Sequence, residues 1–168
     1  SVCIDAVFEG KSFEEACEIV SQSGINSIEF WGWWDKNLEE LVKFQTKNNL
    51  KISACCTKFV SLVDSNSRAL YLIGLEESIK AAKILNTNIL ISQVGNFILD
   101  VPREEQYQSL VEGLKAAAPL LEQSGITLVI EPLNELIDHA GYFLVKSDEA
   151  FKIIEAVNSP NIKVVFDI

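Results

Sequence analysis

Basic side chains are scarce in this chain. It carries 14 Lys and Arg against 24 Asp and Glu, a formal net charge of -10 over 168 residues. A nucleic-acid-binding protein needs a basic footprint to neutralise phosphates, so this balance argues against that class of partner. Histidine is scarcer still: His139 is the only one, too few for a histidine-rich zinc site. No apolar run approaches the roughly 18 residues of a membrane span. The first residues do not form a basic-then-apolar signal segment, so a cytoplasmic location and no membrane partner are expected. The four cysteines, Cys3, Cys17, Cys55 and Cys56, include no C-x-x-C pair. They are expected as buried free thiols in a reducing compartment, with adjacent Cys55 and Cys56 on opposite faces of a strand. Phosphate-cradling loops are missing as well, since neither G-x-G-x-x-G nor G-x-x-x-x-G-K-[ST] occurs.

What is present is a core-forming composition. Hydrophobic residues make up 48% of the chain, so residues 1–168 are read as one globular domain. An apolar stretch without helical period at 2–8 predicts a strand. Ser12 and Glu15 form a capping box that opens a helix over 12–23, and Gly24 ends it. A strand follows at 25–30, a helix at 38–48 and a strand at 51–56. After a loop at 57–66 come a helix at 67–85, a strand at 89–94 and a helix at 104–124, with a kink expected at Pro119. A strand at 127–131 precedes a polar loop. Ser147 is expected to cap a helix over 148–157, and a last strand is expected at 162–168.

Strand and helix thus alternate five times before a lone strand. Near-continuous apolar strands in such an order argue for a parallel sheet covered by helices. A doubly wound sheet would suit about six strands, but its phosphate loop is absent. Acidic or polar residues at successive strand ends suit a barrel mouth better. The expectation is an α/β fold, a (β/α)8 TIM barrel of which this chain supplies about six strands and five helices and lacks the C-terminal strands.

The stretch 125–144, GITLVIEPLNELIDHAGYFL, carries the chemistry. Its apolar run stops at Glu131 and Pro132. A carboxylate at the end of a buried strand is costly unless it is paired, hydrogen-bonded or bound to metal. Asp167 stands in the same relation to the last strand. Neighbouring parallel strands lie about 4.8 Å apart, so two such carboxylates repel unless a cation or proton sits between them. A hard divalent cation with oxygen ligands, Mn²⁺ or Mg²⁺, satisfies that requirement. A structural ion pair or backbone hydrogen bonds would serve either residue alone. Gly24–Glu29 echoes Gly125–Glu131: a helix-ending Gly, a strand, then Glu.

Ile130-Glu131-Pro132-Leu133-Asn134, then Gly141-Tyr142-Phe143-Leu144, then Val165-Phe166-Asp167-Ile168 resemble the signatures of the xylose-isomerase-like TIM barrels. Ile28-Glu29-Phe30 is similar to the second strand of that family. The branch it resembles most is that of hydroxypyruvate isomerase and the sugar-phosphate isomerase/epimerase proteins. The resemblance implies that Glu131 is a divalent-metal ligand and one member of an acid/base pair, and that Asp167 is a second ligand. Mn²⁺ or Mg²⁺ is expected, with Co²⁺ or Zn²⁺ as alternatives. It further implies ligands on a seventh strand and a Glu on an eighth, positions beyond Ile168. The implied activity is isomerisation or epimerisation of a small sugar, sugar phosphate or hydroxy-carbonyl acid by proton transfer through an enediolate.

Other residues on that face are weighed against plainer roles. Glu29 is a candidate to bond a substrate hydroxyl, or a bond within the fold. Trp31, with Trp33 and Trp34, offers aromatic faces to sugar C–H surfaces, or packs the rim. Lys58 is a candidate for a phosphate or carboxylate, or a surface lysine. His139 is a candidate substrate contact in the loop after Glu131, or a solvated residue. Asn134 joins them, or braces its loop. Two other functions compete: an AP-endonuclease-like DNA repair enzyme, and a non-catalytic truncated barrel serving as an oligomerising or ligand-binding module, its open sheet edges favouring a homo-oligomer.

Overall fold

The computed structural model describes residues 1–166. Its strands are β1 (Val2–Cys3), β2 (Ser27–Phe30), β3 (Lys51–Cys56), β4 (Ile89–Ser92), β5 (Thr127–Ile130) and β6 (Ile162–Val164). The helices are α1 (Ile4–Val7), α2 (Phe13–Gln22), α3 (Leu38–Lys47), α4 (Arg68–Ile84), α5 (Arg103–Ser124) and α6 (Ser147–Val157), with one 3-10 turn at Ser65–Ser67. All strand pairs are parallel and the sheet order is β1-β2-β3-β4-β5-β6. Strictly sequential order separates the two candidate architectures. A doubly wound sheet reverses its order at a switch point, whereas a barrel wall does not.

The period of two fixes which residues meet the helices. Ile28, Phe30, Leu90, Leu128, Ile130 and Ile162 are buried in one apolar core with residues of α2, α4, α5 and α6. α5 contributes Leu110, Leu114, Ala117 and Leu121, a stripe at helical spacing. The alternate strand positions, among them Glu29, Ile91 and Val129, face the other side and line a hollow there. Between β2 and β3 the register shifts: Ile28 pairs Ile52 while Glu29 pairs Ala54. Ser53 is the extra residue, and a bulge of this kind re-aims a side chain. Cys55 is buried within the helix-facing core, while Cys56 senses the charges of Glu131 and Glu29, as opposite faces require.

Most boundaries match the sequence pattern. The Ser12 hydroxyl accepts from Glu15 N, and the Glu15 carboxylate accepts in return from Ser12 N. Three expectations need correction. The strand expected at 2–8 is only Val2–Cys3; Ile4–Val7 forms one helical turn closed by Phe8 N donating to Ile4 O at 3.0 Å. Asp5 explains the switch, because its carboxylate accepts from Trp31 N at 2.7 Å, a side chain taking the place of a ladder rung. Ser147 is the first residue of α6 and not its cap; extended Lys146 precedes it, without a side-chain cap bond. Among the described residues the last strand covers Ile162–Val164 and leaves out Val165 and Phe166, and the expected positions 167 and 168 lie outside the described residues. Pro119 lies inside α5, which continues through it to Ser124. No helix among the described residues is long and apolar enough to cross a membrane.

Candidate active site

Glu131 is the first residue beyond β5, and the sheet turns it toward the hollow of about 480 Å³ on its inner face. Glu29 of β2 reaches the same hollow, with Ser1, Ser53 and Ala54 beside it and Ile91 and Val129 forming an apolar wall. The two glutamates come from strands that are three places apart in the sheet, brought together by its curvature.

Glu29 is held by hydroxyls. Ser1 Oγ donates to Glu29 Oε2 at 2.9 Å, and Ser53 Oγ lies 2.7 Å from Ser1 Oγ. Ser53 Oγ also reaches Ile28 O at 3.0 Å and Glu29 Oε2 at 3.4 Å. Two hydroxyl protons serve four short contacts, so the hydroxyls can rotate between acceptors as a ligand oxygen arrives. Cys56 pairs with Ile91 in the sheet beside this hollow. Burial pushes its thiol well above the ordinary cysteine value, and the charges of Glu131, then Cys55, Cys3 and Glu29, add to the shift.

The segment after Glu131 is stitched to the end of β4. Phe97 N donates to Gly141 O at 2.8 Å, Phe143 N to Gly95 O at 3.1 Å, and Leu133 N to Leu144 O at 3.0 Å. Tyr142, Phe143 and Leu144 are buried. The Tyr142 hydroxyl accepts from Val94 N at 2.8 Å and donates to Glu131 O at 3.1 Å. Burial raises its pKa well beyond the usual tyrosine value, against the lowering effect of the Val94 bond.

The remaining candidates are distributed around this centre. Asn134 Oδ1 accepts from Leu136 N at 2.8 Å and Ile137 N at 3.1 Å, bracing its own loop. His139 donates its amide to Asn134 O at 3.1 Å, and its ring stands 6.3 Å from that of Tyr142. Trp31 is half-exposed, with its backbone tied to Asp5 and to Cys56 N. Lys58 lies apart from the glutamates: its ammonium pairs with Glu77 of α4 and sits 5.6 Å from the Trp33 ring centroid. It lines a separate hollow with Trp34 and Phe59. Asp167 falls outside the described residues. The sequence pattern did not point to Ser1, Ser53 or the Tyr142 hydroxyl, although Tyr142 sits in a motif quoted above.

The inner wall offers carboxylate and hydroxyl oxygens, a hard donor set that suits Mn²⁺ or Mg²⁺ over thiophilic metals. Among the described residues no group of three or more His, Cys, Asp or Glu is placed to hold an ion. Glu131 and Glu29, with the Ser1 and Ser53 hydroxyls, are the oxygen donors of this hollow.

Sequential parallel strands, with acidic residues on the inner face of the sheet, are the wall of an α/β barrel. Residues 17–168 match the profile of the Xylose isomerase-like TIM barrel family, and the chain belongs to that family. Hydroxypyruvate isomerase of Escherichia coli (strain K12) is 26% identical over 177 residues, covering 100% of this chain and 68% of that protein. 2-oxo-tetronate isomerase of Cupriavidus necator is 30% identical over 90 residues, covering 54% of this chain and 34% of the relative. Among solved structures, AP endonuclease, family 2, of Brucella melitensis superposes with a TM-score of 0.92 at 22% identity, over 100% of this chain and 67% of that one. At that identity the likeness bears on the fold.

Proposed function

We propose that the protein is a divalent-metal-dependent isomerase or epimerase of a small sugar or hydroxy-carbonyl acid, acting in the cytoplasm. The observation that carries this reading is the convergence of Glu131 and Glu29 on one hollow at the inner face of a parallel barrel wall. The names of two relatives, hydroxypyruvate isomerase and 2-oxo-tetronate isomerase, support the substrate class. Glu131 and Asp167 would hold the metal, Mn²⁺ or Mg²⁺ by donor chemistry. When bound, the metal polarises the oxygens of an α-hydroxy carbonyl group.

Glu131 is one member of an acid/base pair, the Glu implied on an eighth strand being an equal candidate for the base. A carboxylate takes the proton from the hydroxyl-bearing carbon beside the carbonyl. In epimerisation the proton returns to the opposite face of that carbon. In isomerisation it returns to the former carbonyl carbon, while the hydroxyl proton passes to the former carbonyl oxygen. Glu29, with the Ser1 and Ser53 hydroxyls that share its Oε2, binds substrate hydroxyls. Ile91 and Val129 form the apolar wall opposite them.

The test uses full-length protein with Mn²⁺ in D₂O and hydroxypyruvate as the probe substrate. Deuterium exchange at the carbon next to the carbonyl is followed by NMR. Wild type is expected to exchange, and Glu131→Gln to slow exchange by about 10²- to 10⁴-fold. Wild type that takes up no Mn²⁺ and exchanges no proton, or a Glu131→Gln variant as fast as wild type, removes the reading.

A further inference from the structure

We propose that Tyr142 is the positioning residue for Glu131: its phenol hydroxyl replaces the sheet rung that is missing where β4 and β5 end. The β4–β5 ladder closes with Ser92 opposite Ile130. Just beyond it, Val94 N and Glu131 O each meet the same hydroxyl, at 2.8 and 3.1 Å. One side chain therefore spans two main-chain groups that no longer reach each other, and one of them belongs to Glu131 itself.

The ring is fixed independently of that hydroxyl. Tyr142 is 5% exposed, its backbone bridges Asn96, and its neighbours Gly141 and Phe143 bond Phe97 and Gly95. Phe143 is in turn covered by the Arg103 guanidinium, 4.2 Å from its ring centroid. Removing only the oxygen thus keeps the packing and takes away this one bond to the Glu131 carbonyl. A ligand carboxylate whose main chain can drift binds its cation less well, because outer-shell partners set the orientation of the ligand.

The inference rests on the proposed role of Glu131 as a metal ligand, and the experiment separates the two. Mn²⁺ is titrated calorimetrically into full-length wild type and into Tyr142→Phe, Glu131→Gln and Tyr71→Phe. Tyr71 is the control: it is a phenol 1% exposed that meets Ser92 Oγ at 3.0 Å on the helix-facing side of β4. Tyr142→Phe is expected to weaken Mn²⁺ binding about tenfold, Tyr71→Phe to leave it unchanged, and Glu131→Gln to abolish it. If Tyr142→Phe binds like wild type while Glu131→Gln does not, the positioning role is overturned and the proposed function stands. If Tyr71→Phe weakens binding equally, the loss reflects general loosening and the positioning role is again overturned. If wild type takes up no Mn²⁺, or Glu131→Gln binds like wild type, the functional reading fails and takes this inference with it.

Discussion

Burial raises the pKa of all four thiols of this chain. Cys17 is pushed up to about 11 and Cys55 to about 12 from an ordinary 9.0, with Cys56 higher still. The consequence for stability has a definite sign. In the unfolded chain these thiols lose their protons near pH 9, while the folded protein retains them, so above that pH the unfolded state binds fewer protons. The contribution of Cys17 is fully present below pH 9 and is lost as pH rises from there toward about 11. Melting temperatures measured across that range should fall more steeply for wild type than for Cys17→Ala; parallel profiles would refute the assignment. The glutamates were legible in the sequence because a charge that ends an apolar run stands out locally. The Tyr142 hydroxyl was not, because its partners are main-chain groups 11 and 48 residues away, and no local pattern encodes such a bond.

At the scale of elements, the turn after β4 is the tightest junction near the site. Gly95 has φ 105, and a Cβ there would stand 3.0 Å from Ser61 Cβ and 3.2 Å from Ser61 Cα. Its carbonyl receives Phe143 N at 3.1 Å, so the turn also anchors the segment that carries Tyr142. Gly95→Ala combines an unfavourable backbone conformation with a clash against main chain. It should cost about 1–3 kcal/mol in urea unfolding, and a variant with the wild-type midpoint would contradict this. Helix starts were readable where a side chain does the capping, as Ser12 and Glu15 do for α2. The cap of α6 is not readable in this way, because the helix begins at Ser147 itself, behind an extended lysine that makes no side-chain cap bond. The turn Ile4–Val7 escaped because seven apolar-rich residues carry no period that distinguishes a strand from a helical turn. What decides it is Asp5 reaching Trp31 N from 26 residues away.

At the scale of the molecule, charge becomes the governing variable. The parallel order gathers the strand ends on one side, so the carboxylates of Glu29 and Glu131 add to a chain that already carries -10. Alternation of strand and helix made the parallel sheet legible, and the missing phosphate loop correctly favoured the sequential order over a reversed one. The size of a compact chain of this length, a radius of gyration of about 15 Å, sets what salt can do. The screening length falls from about 30 Å at about 0.01 M to about 8 Å at about 0.15 M, from longer than the molecule to shorter. Self-repulsion is therefore weakened across that range. Exposed ion pairs such as Lys47–Glu14 and Arg103–Glu149 are screened too, but such pairs contribute only about 0–1 kcal/mol each. Repulsion wins, and the melting temperature should rise with NaCl over this interval; a fall would mean that the ion pairs outweigh it. Replacing NaCl by MnCl₂ at equal ionic strength then separates screening from site occupancy. Ligand that binds only the folded state stabilises beyond screening, and that increment should vanish in Glu131→Gln.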